Sequence, residues 1–298
     1  GLLRPAAGGV YLVSEAMLAD ARGGRQGSHA SNLGCALARA LADEATRALE
    51  AGPGAAPGPT EGRTGRVPAF IVDPVSTDEF HDLARFSGLE EIQRRSLSHA
   101  LSIHALVKGV CEKEGRAVSG SRFVVGHLGG GISICPVADG LILDANNANS
   151  GGPFSPTRAG GLPSQELIAL CFSRRFSLGE LREMTTKRGG LLSYLGTDDA
   201  IEVEARIREG DEGSLMVYQA MAYQISKEIG AMATVLDGGP ERILLTGGLA
   251  ASELLTGWIR ERVDFLAPVE VHPEIGEMKA LALGALRVLR GEDRAKEY

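Results

Sequence analysis

The segment that most constrains this fold is HLGGGISICPVADGLILDANNANSGGPFSPTRAGGLP, from His127 to Pro163. A glycine triplet, Gly129 to Gly131, separates two β-branched apolar runs, and an Asp-Gly turn follows at Asp139-Gly140. Glycines let backbone N–H groups approach an anion closely, and the turn joins its flanking runs into a hairpin. The segment therefore predicts a β-meander whose first connection can hold a phosphate.

Bulk properties limit the class of protein and its partners. At 298 residues, with 44% apolar and 23% charged residues, the chain suits two compact domains and not a disordered polymer. A net charge of −7 disfavours nucleic acid and anionic membranes as partners, so local features must hold any phosphate. The sequence shows neither an apolar run of membrane-spanning length nor a leader, so we expect a cytoplasmic protein.

The cysteines are widely spaced and form no CxxC pair, which argues against a zinc site or a disulfide framework. We expect reduced core thiols at all of them: Cys35, Cys111, Cys135 and Cys171.

The N-terminal part alternates regular and irregular segments. Leucines at helical spacing (Leu33, Leu37, Leu41, Leu49) predict an amphipathic helix over residues 31–49, opened by a Ser/Asn cap. Glycines and prolines then interrupt residues 51–66, which predicts a mobile surface insertion; a functional loop is the alternative. Val67 to Val75 predicts a buried parallel strand with Asp73 at its carboxyl end, where ligands bind in open α/β sheets.

The remaining patterns complete a two-domain α/β chain. Helices are predicted over Glu90–Cys111, Leu215–Leu236 and Met278–Leu289, and the apolar run in ERILLTGGLAAS predicts a strand that enters paired glycines. The simplest division assigns residues 1–121 to a first domain and 122–298 to a second.

Four motifs, HLGGGIS, DANNANSGGPFSPTRAG, LLTGGLA and EMKALALGALRVLRG, resemble the butyrate kinase branch of the acetokinase family. That family belongs to the larger group of actin, sugar kinases and chaperone ATPases, and the resemblance runs over nearly the whole chain. It implies an α/β fold of two actin-like (ribonuclease H-like) domains around a nucleotide cleft. It also implies a C-terminal helix that packs back toward the first domain, and a homodimer or higher homo-oligomer.

The resemblance implies phosphorylation of a short-chain acid, butanoate, by ATP with Mg²⁺. The alternatives are a kinase for acetate, propionate or isobutyrate, and a non-catalytic nucleotide-binding relic. In the family a phosphate-binding β-hairpin precedes the GLLRP segment with which this chain begins. We therefore expect an N-terminally truncated chain that binds ATP weakly and is inactive as given.

Phosphoryl transfer to a carboxylate brings anions together, so its site needs cations, a divalent metal and backbone donors. The resemblance implies that Arg158 contacts the transferred phosphoryl group and that His99, on a helix, stabilises its equatorial oxygens. A loop salt bridge is the alternative for Arg158, and a half-buried bystander for His99. Ser98 departs from the Phe-His pair common in the family.

His127 is implied to contact the nucleotide phosphates together with Gly129, Gly130 and Gly131.

Further site residues follow from the same resemblance. Gly247 and Gly248 match the adenosine-binding turn, and without the family they would indicate only the entry to a helix. His29 and Asn32 match a segment near the substrate, although Asn32 is equally suited to be a helix cap. Val75 is implied to line the acyl pocket.

Asp73 and Glu277 are the candidate ligands of Mg²⁺, contributed from opposite domains across a cleft. Magnesium needs only one or two protein carboxylates because it keeps several waters. The alternatives are a turn former before a proline for Asp73, and a favourable acid at a helix N-terminus for Glu277.

Overall fold

The computed structural model describes residues 3–23, 33–51, 66–237, 239–273 and 276–298. The chain forms two compact units, residues 1–77 with 277–298, and residues 78–276. This boundary differs from the predicted division after residue 121. Residues 78–121 belong to the second unit because helix α3 (Ala100–Lys113) packs its apolar side chains against the sheet of that unit.

In the first unit, strand β1 (Val10–Leu12) pairs antiparallel with strand β2 (Phe70–Val72). The prediction of a parallel strand over 67–75 is therefore wrong in direction and too long. Helix α10 (Glu277–Leu289) packs on β2, and Gly284 permits the contact because a Cβ there would lie 2.9 Å from Cγ2 of Val72. Helix α1 (Glu15–Gly23) completes the described core of this unit with Met17 and Leu18.

Helix α2 (Leu33–Ala51) confirms the predicted helix but not its predicted face. Its predicted apolar residues Leu33, Leu37, Leu41 and Leu49 are all exposed, whereas Cys35, Ala42 and Thr46 are buried. Small residues face the core here because helix α1 packs closely against α2. The predicted Ser/Asn cap and residues 52–65 of the insertion lie outside the described residues.

The second unit is built on a five-stranded sheet in the order β5-β4-β3-β6-β7. Strands β3 (Arg122–Leu128), β4 (Ile132–Ala138) and β5 (Leu141–Ile142) form the predicted antiparallel meander. Strand β6 (Arg242–Thr246) pairs parallel with β3, and β7 (Val269–His272) pairs parallel with β6. The meander is confirmed, because the glycine connection and the Asp-Gly turn both join antiparallel neighbours.

Helices cover both faces of this sheet. On one face α8 (Glu212–Val235) buries Met221, Ile225, Ile229 and Met232, as its spacing predicts, and α9 (Glu253–Val263) packs beside it. The other face is covered by α3. The surrounding shorter helices are α4 (Ser164–Phe172), α5 (Leu178–Thr186), α6 (Gly190–Leu195) and α7 (Ala200–Arg208).

Two local predictions need correction. The long helix over 90–111 is wrong at its start, since α3 begins at Ala100 and His99 is its N-cap residue. The preceding residues are held in irregular backbone by long-range contacts: Arg94 pairs with both carboxylate oxygens of Asp144 at 3.0 and 2.7 Å. Cys171 is exposed on α4, which corrects the expectation of a core thiol there, whereas the other three cysteines are buried as expected. Among the described helices, none has the length and apolar character needed to cross a membrane.

Candidate active site

A polar row crosses the second sheet where β3 and β6 reach their carboxyl ends. The strand register places Ser133 of β4 beside His127 of β3, His127 beside Thr246 of β6, and Thr246 beside His272 of β7. Residues in register across a sheet point their side chains to the same face. The face is the one covered by α3, because Phe123 and Val125 alternate with His127 along β3 and pack in the α3 core.

His99 lies on this row from the start of α3. Its ring stacks on that of His127, with centroids 4.0 Å apart and an interplanar angle of 13°. Its Nδ1 lies 2.9 Å from Oγ of Ser133. The prediction of a helix-borne histidine is corrected in detail, because the N-cap position turns the ring toward the sheet instead of along the helix side.

The glycine triplet makes room for the side chains around it. A Cβ on Gly129 would lie 3.2 Å from Nε2 of His127, and a Cβ on Gly131 would overlap the guanidinium of Arg158. The carbonyl of Gly130 accepts hydrogen bonds from Oγ of Ser155 (2.6 Å) and Oγ1 of Thr157 (3.2 Å). The triplet therefore joins the histidine pair to the loop that carries the arginine.

Arg158 is held with its charge available to an anion. Its Nη1 donates to the carbonyl of Ala148 at 3.0 Å, and its backbone N–H donates to Oγ of Ser155 at 3.2 Å. Within the described chain its side chain forms no ion pair, so the alternative of a loop salt bridge finds no support. Burial lowers the pKa of Arg158, although a guanidinium stays protonated in proteins. A half-buried cation without a carboxylate partner suits a phosphoryl ligand.

Gly247 and Gly248 follow β6 directly and begin the short 3₁₀ turn Gly248–Ala251. Gly247 has a φ of 90°, and a Cβ there would overlap the carbonyl of Leu128 at the end of β3. Only glycine meets both conditions without strain. The turn therefore lies against the strand end that carries His127, and Ser252 closes it by capping α9.

Three residues that the sequence did not single out support this arrangement: Ser133, Asn146 and Ser155. Asn146 accepts a hydrogen bond from the N–H of Ile134 (2.6 Å) and donates one to the carbonyl of Ile132 (2.9 Å), so it acts as a strand neighbour of β4. Asn146 lies within the DANNANSGGPFSPTRAG motif. Its partner could not be foreseen, because only the strand register shows which β4 residues lie opposite it.

The remaining predicted residues lie in the first unit or outside the described chain. Asp73 and Glu277 both belong to the first unit, which corrects the expectation that they come from opposite domains; α10 returns the chain to β2. Asp73 has a φ of 41°, and its Oδ1 accepts the N–H of Gly9 at 2.6 Å, so it also forms a turn. Val75 is half-buried in that turn. His29 and Asn32 lie outside the described residues.

The two carboxylates suit Mg²⁺ in their chemistry, since oxygen ligands are what this ion prefers. Among the described residues, no group of three or more histidine, cysteine, aspartate or glutamate side chains is placed to hold a metal. A site with one or two of these carboxylates and several waters therefore stays a prediction.

Comparison with known proteins gives a consistent result. Residues 89–266 match the acetokinase family. The whole chain is 46% identical to the probable butyrate kinase of Listeria welshimeri and 44% identical to butyrate kinase 2 of Clostridium acetobutylicum, covering 79% and 78% of those proteins.

Solved structures show the same fold. The fold is similar to that of Porphyromonas gingivalis acetate kinase, with a TM-score of 0.73 and 18% identity over 95% of this chain and 75% of that one. It is also similar to a propionate kinase from Francisella tularensis, with a TM-score of 0.70 and 16% identity over 94% and 77% of the two chains.

Proposed function

Because this chain belongs to the acetokinase family, we propose that it is an ATP-dependent carboxylate kinase that converts butanoate and ATP to butanoyl phosphate and ADP. The observation that carries the proposal is the Arg158 guanidinium, which is half-buried, packed against the glycine triplet and without a carboxylate partner among the described residues. The choice of butanoate rests on the similarity to proteins named butyrate kinase.

The chemistry needs positioning and charge stabilisation more than proton transfer. A carboxylate is already ionised near pH 7, so the acid can attack the γ-phosphorus without a general base. Negative charge spreads over the equatorial oxygens as the phosphoryl group moves, and Arg158 and His99 would donate hydrogen bonds to them. His127 and the amides of Gly129 to Gly131 would hold the departing phosphates.

The other assignments complete this proposal. The turn at Gly247 and Gly248 would pack against the adenosine, and His29, Asn32 and Val75 would line the acid pocket. Mg²⁺ bound by Asp73 and Glu277 would neutralise phosphate charge.

The test is a coupled ADP-release assay with a panel of acids: acetate, propionate, butanoate and isobutyrate. It is run on the 298-residue chain and on any longer form that the source gene encodes. We expect the highest kcat/KM with butanoate. Preference for another acid would make the protein a sibling kinase, and ATP binding without turnover in every form would favour the non-catalytic relic.

A homodimer or higher homo-oligomer is part of the proposal and is supported by helix α4. None of its residues is buried, although it is strongly apolar. Exposed apolar side chains on and beside it are Leu162, Ile168, Phe172 and Leu178. Large apolar side chains left exposed close together in sequence commonly mark a protein contact.

Light scattering after size exclusion tests the assembly. Phe172→Glu should shift the protein toward monomer, whereas Phe265→Glu, at a phenylalanine of equal exposure (84% against 82%) elsewhere on the second unit, should not. A wild-type monomer at micromolar concentration would remove this part of the proposal.

A further inference from the structure

The hydroxyl of Thr246 is a buried polar group that has no hydrogen-bond partner in the described part of the chain. Thr246 is the last residue of β6 and is 1% exposed, and its Oγ1 bonds no described residue. Other buried hydroxyls do find partners: Oγ1 of Thr46 donates to the carbonyl of Ala42 at 2.8 Å, and Oγ of Ser226 to that of Ala222 at 2.9 Å. A buried hydroxyl without a partner costs stability, so its presence calls for another explanation.

The backbone around Thr246 is already paired. Strand β6 lies between β3 and β7 and pairs parallel with both, so the neighbouring peptide groups are taken up by the two ladders. In a helix a threonine hydroxyl can donate to the carbonyl one turn earlier, as Thr46 does, but an extended strand offers no such acceptor. The Thr246 hydroxyl is thus left able to donate to a bound ligand.

The position of Thr246 indicates which ligand this is. The strand register places it between His127 of β3 and His272 of β7, on the same face of the sheet, and both flanking histidines are half-buried. The next residues, Gly247 and Gly248, begin the turn that the proposed function places against the adenosine. Thr246 therefore lies where the proposed phosphate-binding residues meet the proposed adenosine-binding turn.

We propose that the hydroxyl of Thr246 donates a hydrogen bond to a phosphate that ATP and ADP share, the α- or the β-phosphate. Neighbouring strands lie about 4.8 Å apart, so Thr246 and His127 can both reach oxygens of one phosphate chain. The oxygens of an ionised phosphate are acceptors, which makes the hydroxyl the donor. The transferred γ-phosphoryl group is assigned to Arg158 and His99, so the Thr246 contact falls on a phosphate that ADP retains. This inference rests on the proposed function.

Thr246→Val tests the inference, because valine keeps the branched shape of threonine and lacks the hydroxyl. The melting temperature without ligand and the Kd for ADP with Mg²⁺, from calorimetric titration, are measured on the 298-residue chain and on any longer form that the source gene encodes. We expect the variant to melt at the wild-type temperature or higher, since an unpartnered hydroxyl stabilises nothing. It should bind ADP about tenfold more weakly, as when one hydrogen bond to a charged group is lost. Thr246→Ser keeps a hydroxyl and should bind ADP as the wild type does.

The matched control is Thr46→Val in α2, the same substitution at a buried threonine of the first unit. The Thr46 hydroxyl donates to the carbonyl of Ala42 and accepts the N–H of Val67 at 2.9 Å, so its removal leaves both groups without that partner. This variant should melt below the wild-type temperature and bind ADP unchanged. The two threonines are therefore expected to show opposite patterns.

An unchanged Kd for ADP in Thr246→Val would overturn the inference. So would a clear loss of stability in the ligand-free variant, because the hydroxyl would then have a partner within the fold. A wild type that binds neither ADP nor ATP in any form would instead count against the proposed function and would remove this inference with it.

Discussion

Single atoms decide the geometry around Arg158, and Gly131 is the clearest case. Its missing Cβ leaves the space that the guanidinium occupies. Gly131→Ala should therefore displace the end of a flexible side chain, which costs little stability, while removing the cation from its place. In a form of the protein that phosphorylates butanoate, we expect kcat to fall about 10²-fold, as when one transition-state donor is lost, with only a small change in melting temperature.

The matched control for that variant is Gly109→Ala in α3, where nothing lies within 4 Å of the added methyl group. It should keep full activity and melt at the same temperature or slightly higher, because alanine is the better helix former. A Gly131→Ala protein that loses its folded state, or that keeps wild-type kcat, would contradict the role given to this glycine.

Arg158 and His99 should act on the transition state more than on substrate binding. In a form of the protein that phosphorylates butanoate, Arg158→Ala and His99→Ala should each lower kcat by about 10²-fold or more, with modest change in KM for ATP. Arg158→Lys should recover only part of the loss, since an ammonium cannot bind two oxygens in the fork geometry of a guanidinium. Steady-state kinetics with varied ATP and butanoate measures these effects. A variant that keeps kcat but binds the acid more weakly would show that the substituted residue acts in substrate binding instead.

At the scale of elements, helix α8 depends on the hydrogen bonds made by its N-cap residue, Asp211. Asp211 accepts the N–H groups of Gly213 and Ser214 and the hydroxyl of Ser214. These bonds, led by the Ser214 hydroxyl, hold the pKa of Asp211 below its ordinary value of about 3.9. A depressed pKa adds stability above the unfolded-state pKa that is lost as pH falls through the folded-state pKa.

Asp211→Ala should accordingly lower the melting temperature near neutral pH, and the difference from wild type should shrink as pH falls below about 4. Asp211→Asn keeps a capping oxygen without a titrating group, so its melting temperature should follow a flatter course over that range. Thermal melts from pH 7 to pH 3 measure both variants. A constant gap between Asp211→Ala and wild type over this range would contradict the argument.

The elements that local pattern predicted well are those whose neighbours in space are also neighbours in sequence. The β3-β4-β5 meander and the apolar face of α8 fall in this class. The wrong predictions concern elements whose ends or faces are set by contacts between residues distant in sequence. Arg94 pairs with Asp144, and this ion pair delays the start of α3. Close packing of α1 against α2 places the small-residue face of α2 toward the core. Helix propensity is too weak to resist such contacts.

At the scale of the whole molecule, the structure brings several motif residues into one unit, whereas its division of the chain differs from the predicted one. His99, His127 and Arg158 come together in one unit although they are distant in sequence, and the family motifs carry that information. The supporting contacts of Ser133, Asn146 and Ser155 depend on strand register and loop packing, which no spacing encodes. The unit boundary depends on where α3 and α10 pack, and helical periodicity shows that a face is apolar without showing which sheet it covers.

The placement of the proposed nucleotide-binding residues in one unit leads to a prediction for the whole chain. Amide hydrogen exchange followed by mass spectrometry, with and without ATP, should show added protection in residues 127–133, 155–160 and 246–252, all in the second unit. A bound nucleotide should hold these segments in place and so slow the opening that exposes their amides to exchange. Peptides from the middle of α8 should exchange alike in both conditions, because their amides are already bonded within the helix. Protection confined to the first unit would show that ATP binds elsewhere and would remove the phosphate role of the glycine triplet.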